Sequence, residues 1–160
     1  MDKGLFGRKD RLVQEKRHDA YQERWKCQGP AVCRTCGASF VEGRWSWQEA
    51  PAEACAMVCP ACARIADNYP AGEITISGPF FTQHRQEIMN LIHNAEAQEK
   101  GGHPLERLMA VVDGEGQTMV TTTGIHLARR IGEALSRAYQ GELDFAYGEA
   151  EKSIRVSWRR

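Results

Sequence analysis

The chain has 160 residues, enough for one medium domain or for a small metal-stapled module beside a compact second unit, and too few for a large multidomain enzyme. Its hydrophobic fraction of 42% and charged fraction of 26% are those of a chain that folds around a core. Basic and acidic residues balance at 21 each, which excludes a protein-wide field favouring nucleic acid; the imbalance is local, with 8 basic against 5 acidic residues from Met1 to Lys26 and 13 against 16 thereafter.

Residues 1–30 read as a basic arm, either disordered or helical around Arg8 to His18, that ends at Gly29-Pro30. The first ten residues lack the apolar core of a signal peptide, and no apolar run reaches the roughly 18 residues of a membrane span. A cytoplasmic protein with no membrane partner is therefore expected. In a reducing compartment, paired C-x-x-C motifs read as metal ligands or redox centres before they read as structural disulfides.

Residues 31–70 hold two such motifs, Cys33-Arg-Thr-Cys36-Gly and Cys59-Pro-Ala-Cys62. Each C-x-x-C turn brings two thiolates to one point, and two turns complete a tetrahedral shell around a single ion. The 22 residues from Gly37 to Val58 are enough for a hairpin that returns to the site. A structural Zn2+ held by Cys33, Cys36, Cys59 and Cys62 is the expected reading; an iron–sulfur centre and a thioredoxin-like redox pair are its competitors. Four thiolates leave zinc no open position for a substrate, and no βαβ pattern surrounds either pair, so the site is expected to be architectural. Cys27 and Cys55 are left over and read as separate small side chains, with ligand swapping by Cys55 under oxidation as the weaker alternative.

Residues 71–160 carry the periodicities of an α+β domain. Glu73 to Ser77 is a short strand, and Gly78-Pro79 breaks it and opens a helix from Phe80 to Lys100, whose buried face is Phe81, His84, Ile88, Leu91, Ile92 and Ala95. Leu108 to Val112 and Thr118 to Thr122 form a hairpin around Asp113-Gly114-Glu115-Gly116. A second helix capped by Thr123 carries Ile125, Ala128, Ile131, Leu135 and Ala138, and strands at Glu142 to Tyr147 and Ser153 to Trp158 close the chain. The expected fold is a zinc-ribbon-like module, a helix, and a ββαββ antiparallel sheet with helices on one face.

No Walker loop or nucleophile elbow is present, and the histidines have no adjacent nucleophile with an orienting partner, so the chain is expected to be neither an enzyme nor a small-molecule converter. For RNA the candidate contacts are Arg8, Lys9, Arg11, Lys16, Arg17, Arg24 and Lys26 of the arm, Arg129 and Arg130 of the second helix, and Trp45 and Trp47 as stacking rings. The competing expectation is that the charges face solvent and that Trp45-Ser46-Trp47 pins the module to its neighbour; RNA contact and protein contact stay level on the residues alone.

The order of the zinc knuckles, Cys-Pro-Ala-Cys-Ala-Arg, Ile-Ser-Gly-Pro-Phe-Phe and Thr-Thr-Thr-Gly-Ile-His-Leu-Ala-Arg-Arg-Ile-Gly-Glu-Ala-Leu resembles a family of small bacterial zinc-ribbon proteins across nearly the whole chain. More remotely it resembles the archaeal and eukaryotic adaptor for nuclear export of the large ribosomal subunit, whose cysteine pairs precede α+β segments ending in an Arg-rich strand, here Ile154-Arg155-Val156-Ser157-Trp158. The resemblance implies a non-catalytic, ribosome-associated factor that docks on ribosomal RNA and acts on idle or stressed ribosomes. The chain has fewer cysteine pairs than the adaptor and no counterpart of its transport extension, so export is not implied. The alternative is a protein–protein adaptor or stress-response regulator that uses the zinc module as its surface.

Overall fold

The computed structural model describes residues 27–160. The arm candidates Arg8, Lys9, Arg11, Lys16, Arg17, Arg24 and Lys26 lie outside the described residues. From Cys27 onward the chain is an α+β fold with two sheets.

The first sheet is built from four strands of three residues each: β1 (Ala31–Cys33), β2 (Ser39–Val41), β3 (Arg44–Ser46) and β4 (Cys55–Met57), in the order β3-β2-β1-β4. β1, β2 and β3 pair antiparallel, and β4 joins β1 in parallel. The next element is a helix absent from the sequence expectation, α1 (Pro60–Asp67). Its start is written into the second knuckle, where the Cys59 side chain accepts the Cys62 N–H and Pro60 takes the first-turn position that lacks a donor; its end is Asn68 in the left-handed conformation.

The body runs β5 (Gly72–Ser77), α2 (Pro79–Gln83), α3 (Arg85–Gly102), β6 (Leu108–Gly114), β7 (Gln117–Thr122), α4 (Ile125–Tyr139), β8 (Glu142–Tyr147), a 3-10 turn at Glu149–Glu151, and β9 (Ile154–Arg159). The expected ββαββ unit is there, with β5 inserted between its two hairpins to give the order β6-β7-β5-β9-β8. β5 is antiparallel to β7 and parallel to β9, so the sheet is mixed rather than wholly antiparallel. Burial explains the insertion: Ile74 and Ile76 are fully buried, as a central position allows. One row across the sheet reads Val111, Val120, Ile74, Val156 and Phe145. Ile88, Met89 and Ile92 of α3 and Leu127, Ile131 and Leu135 of α4 belong to the same core, with Trp158 buried at its end.

Three local expectations change. The helix expected to be continuous from Phe80 to Lys100 is two helices, broken at His84, whose backbone at φ −119° and ψ 29° leaves the helical region. The cause lies at the chain's other end. The Phe80 and Phe81 N–H groups donate to the Arg160 carbonyl at 2.8 and 3.2 Å, so α2 is held to the end of β9 while α3 lies along the core. Thr123 is not the cap of α4; Gly124 takes that position, and the Thr123 hydroxyl is used elsewhere. Cys27 and Cys55, expected as separate thiols, form a disulfide with Cα atoms 5.9 Å apart. It fastens the residues before β1 to the start of β4, where the Cys55 N–H also donates to the Pro30 carbonyl, and it removes Cys55 as a spare ligand. Among the described residues no helix is long and apolar enough to cross a membrane.

The closure of α2 on β9 depends on Gly78. Its φ is 108°, and a Cβ there would lie 2.3 Å from the Arg160 carbonyl oxygen. Gly78→Ala should therefore lower the unfolding free energy by about 1–3 kcal/mol, read as a shift of the urea midpoint at unchanged slope.

Candidate metal centre

Cys33 ends β1 and Cys36 closes the turn beyond it, while Cys59 and Cys62 open α1. The parallel β1–β4 pair sets the two knuckles side by side, with Cys33 registered against Met57. All four Sγ atoms lie within 4.8 Å of one another, as the sequence spacing leads one to expect. The Cys36 and Cys59 sulfurs are 3.9 Å apart, which matches the edge of about 3.8 Å in a tetrahedron with 2.3 Å metal–sulfur bonds. Cys33, Cys59 and Cys62 are buried, and Cys36 is half-buried. The chemistry of four convergent soft donors fits a thiophilic metal ion, which these residues can hold.

Backbone amides prepare the sulfurs for negative charge. Thr35 and Cys59 N–H groups donate to Cys33 Sγ at 3.4 and 3.2 Å, and the Cys62 N–H donates to Cys59 Sγ at 3.4 Å. Burial acts to raise the Cys33 thiol, but the amides of Cys59, Cys36 and Thr35 outweigh it and bring its pKa down to about 6. Cys59 is pushed the other way, by burial first and then by the neighbouring sulfurs. Four thiolates therefore gather only if positive charge gathers with them.

Part of that charge comes from a residue the sequence reading missed. Arg107 is 7% exposed, and its guanidinium donates to three of the four sulfurs: Cys36 at 3.0 Å, Cys62 at 3.2 Å and Cys59 at 3.5 Å. Burial would lower its pKa, but the bonds to Cys62 and Cys36 more than offset this and raise it, so the group stays charged. The guanidinium is aimed by its Nε–H, which donates to the Pro104 carbonyl at 2.7 Å. Thr123 holds the segment behind it, accepting the Arg107 N–H at 2.8 Å and donating its hydroxyl to the Leu105 carbonyl at 2.6 Å. In the sequence nothing marks Arg107 beyond a charge leading into an apolar strand.

Its neighbour Glu106 faces the opposite way. Its carboxylate accepts the Leu127 N–H at 2.9 Å and so caps α4 from outside the helix, while a Cβ on Gly124 would lie 2.2 Å from that carboxylate. Burial pushes the Glu106 pKa up, and the Leu127 N–H only partly opposes it.

The four described RNA-contact candidates fall on two surfaces. Trp45 packs half-buried against the cysteine cluster and Phe40. Trp47 donates its Nε1–H to the Lys100 carbonyl at 2.7 Å, which pins the module to the end of α3. Arg129 is ion-paired with Glu133 within α4, and Arg130 with Glu99 across to α3. No family model matches the chain, and neither a curated protein nor a solved structure matches it.

Arg107→Met keeps most of the side-chain volume and removes the donors, so metal affinity should fall about 10–100-fold in competition with a colorimetric chelator. For Glu106, a raised folded pKa means that the native state binds the proton more tightly than the unfolded chain. Its contribution is thus fully present below the unfolded carboxyl value and lost as pH rises through the folded one. Glu106→Gln should abolish that component of the fall in stability with rising pH, checked by denaturation midpoints of both proteins from pH 4 to pH 8.

Proposed function

We propose that the chain is a non-catalytic zinc protein that docks on RNA, with ribosomal RNA as the partner implied by its sequence resemblance. Zinc is the ion that suits the site: a closed set of four thiolates from two knuckles is its usual structural arrangement, with no position left for substrate. The observation that carries the reading is the Arg107 clamp, because it makes the metal part of the joint between module and body rather than a separate ornament. A joint of this kind presents a shaped surface and performs no chemistry.

The cations at the module's tips support RNA as the occupant. Arg34 projects from the first knuckle and Arg44 from the β2–β3 hairpin; both are exposed, and neither guanidinium has a polar partner among the described residues. Guanidinium groups held on short turns grip phosphate bidentately. Arg129 and Arg130, on α4 and already paired with carboxylates, are weaker candidates.

A protein partner is the second reading, and the free edge of the five-stranded sheet favours it. Among the described residues β6 has no neighbour on its outer side, and Val112 there is 60% exposed. Sedimentation of lysate separates the two. The RNA reading expects the protein in the ribosomal fractions at low salt and its progressive release as salt rises. Absence from those fractions at low salt, with a partner retained through nuclease treatment, supports the adaptor instead.

A further inference from the structure

The crease between the metal module and the body contains a cavity of about 520 Å³, within the size range of small-ligand sites. One wall is β3, through Arg44 and Trp45; the other is the 103–106 segment and the start of α4, through His103, Glu106 and His126. Trp45 and Leu105, one from each wall, both pack on the cysteine cluster. The cysteine cluster therefore supports both walls.

The lining is divided by chemistry. Trp45, Pro104 and Leu105 make an apolar surface suited to a flat ring. Arg44, His103 and His126 are exposed and supply donors at the rim. Glu99 is offset by a cation, since its Oε1 is held by Arg130 at 2.7 Å. Glu106 spends Oε1 on the Leu127 N–H and keeps Oε2 as an acceptor, with no donor to it among the described residues.

A ligand that answers all three needs has an anionic group for the rim, a planar ring for the apolar wall and an amino group for Glu106. We infer that this crease binds one nucleoside phosphate, with the phosphate on Arg44 and His126, the base along Trp45 and Leu105, and an exocyclic amino group donating to Glu106. The nucleotide is either free or a single unpaired residue of an RNA strand; the chemistry is shared. This deepens the RNA reading above and rests on it only for the second source. Because the cysteine cluster supports both walls, binding also depends on the metal.

Isothermal titration of the full, zinc-loaded chain tests the assignment with the four nucleoside 5′-monophosphates, inorganic phosphate, the unphosphorylated nucleosides and a ten-residue single-stranded RNA. Saturable one-to-one binding is expected for at least one monophosphate bearing an exocyclic amino group, or for the RNA. Arg44→Ala and His126→Ala, both at exposed positions, should each weaken it about tenfold or more. Removal of zinc by a chelator should abolish it. Inorganic phosphate binding as well as the nucleotides overturns the assignment of the ring wall. RNA binding that neither variant changes, with no monophosphate bound, overturns the pocket and leaves the RNA reading standing. Absence of binding to every probe defeats both.

Discussion

The contact between the Arg107 guanidinium and three cysteine sulfurs is the constraint on which the rest of the molecule depends. Four thiolates and one divalent ion carry a net charge of about −2, which is expensive to bury. Backbone N–H groups spread some of that charge, and Arg107 cancels part of it with donors fixed in a planar fork. Beyond the Cys27–Cys55 disulfide and the Trp47 bond to Lys100, the module has little else to hold it. Its strands are three residues long, and the buried cluster at its centre is Cys33, Cys59, Ala61 and Cys62, with no large aliphatic side chain. A unit of that size lacks the apolar area to offset its chain entropy, so an ion held by the four sulfurs would act as its core.

The same segment fastens the body. Glu106 and Arg107 are adjacent, oppositely charged and turned in opposite directions, each toward the pole that complements it. The acid meets the electropositive first turn of α4, and the base meets the thiolates. Thr123, immediately before α4, ties the segment from behind by accepting one backbone N–H and donating to a carbonyl. The 105–107 segment thus joins α4 to the cysteine site through a few hydrogen bonds. Trp47 on Lys100 makes a second tie, to the end of α3.

Much of this is legible in the residues. The two knuckles, the β6–β7 hairpin and the stripe of α4 come from spacing and period, because each is a local pattern whose partner lies a few residues away. The features that escape a sequence reading depend on contacts distant in the chain. The break at His84 is set by Arg160, the pairing of Cys27 with Cys55 by the parallel β1–β4 ladder, and the central place of β5 by its burial between two hairpins. Thr123 resembles a helix cap because a threonine before a helix usually is one; a buried carboxylate 17 residues earlier has taken that work. Arg107 escapes for the same reason, since a charge at the head of a strand names no partner.

These ties also decide what kind of partner the crease can accept. Its walls belong to different elements, β3 on one side and the 103–106 segment with α4 on the other, yet both rest on the same sulfurs. A ligand entering there would not bear the full cost of bringing the two walls together, because both already pack on the cysteine cluster. The rim is exposed, with Arg44 on a hairpin tip and two exposed imidazoles, while the depth of the site is lined by Trp45, Leu105 and the carboxylate of Glu106. A packed depth with an exposed charged rim selects for the shape of what is inserted.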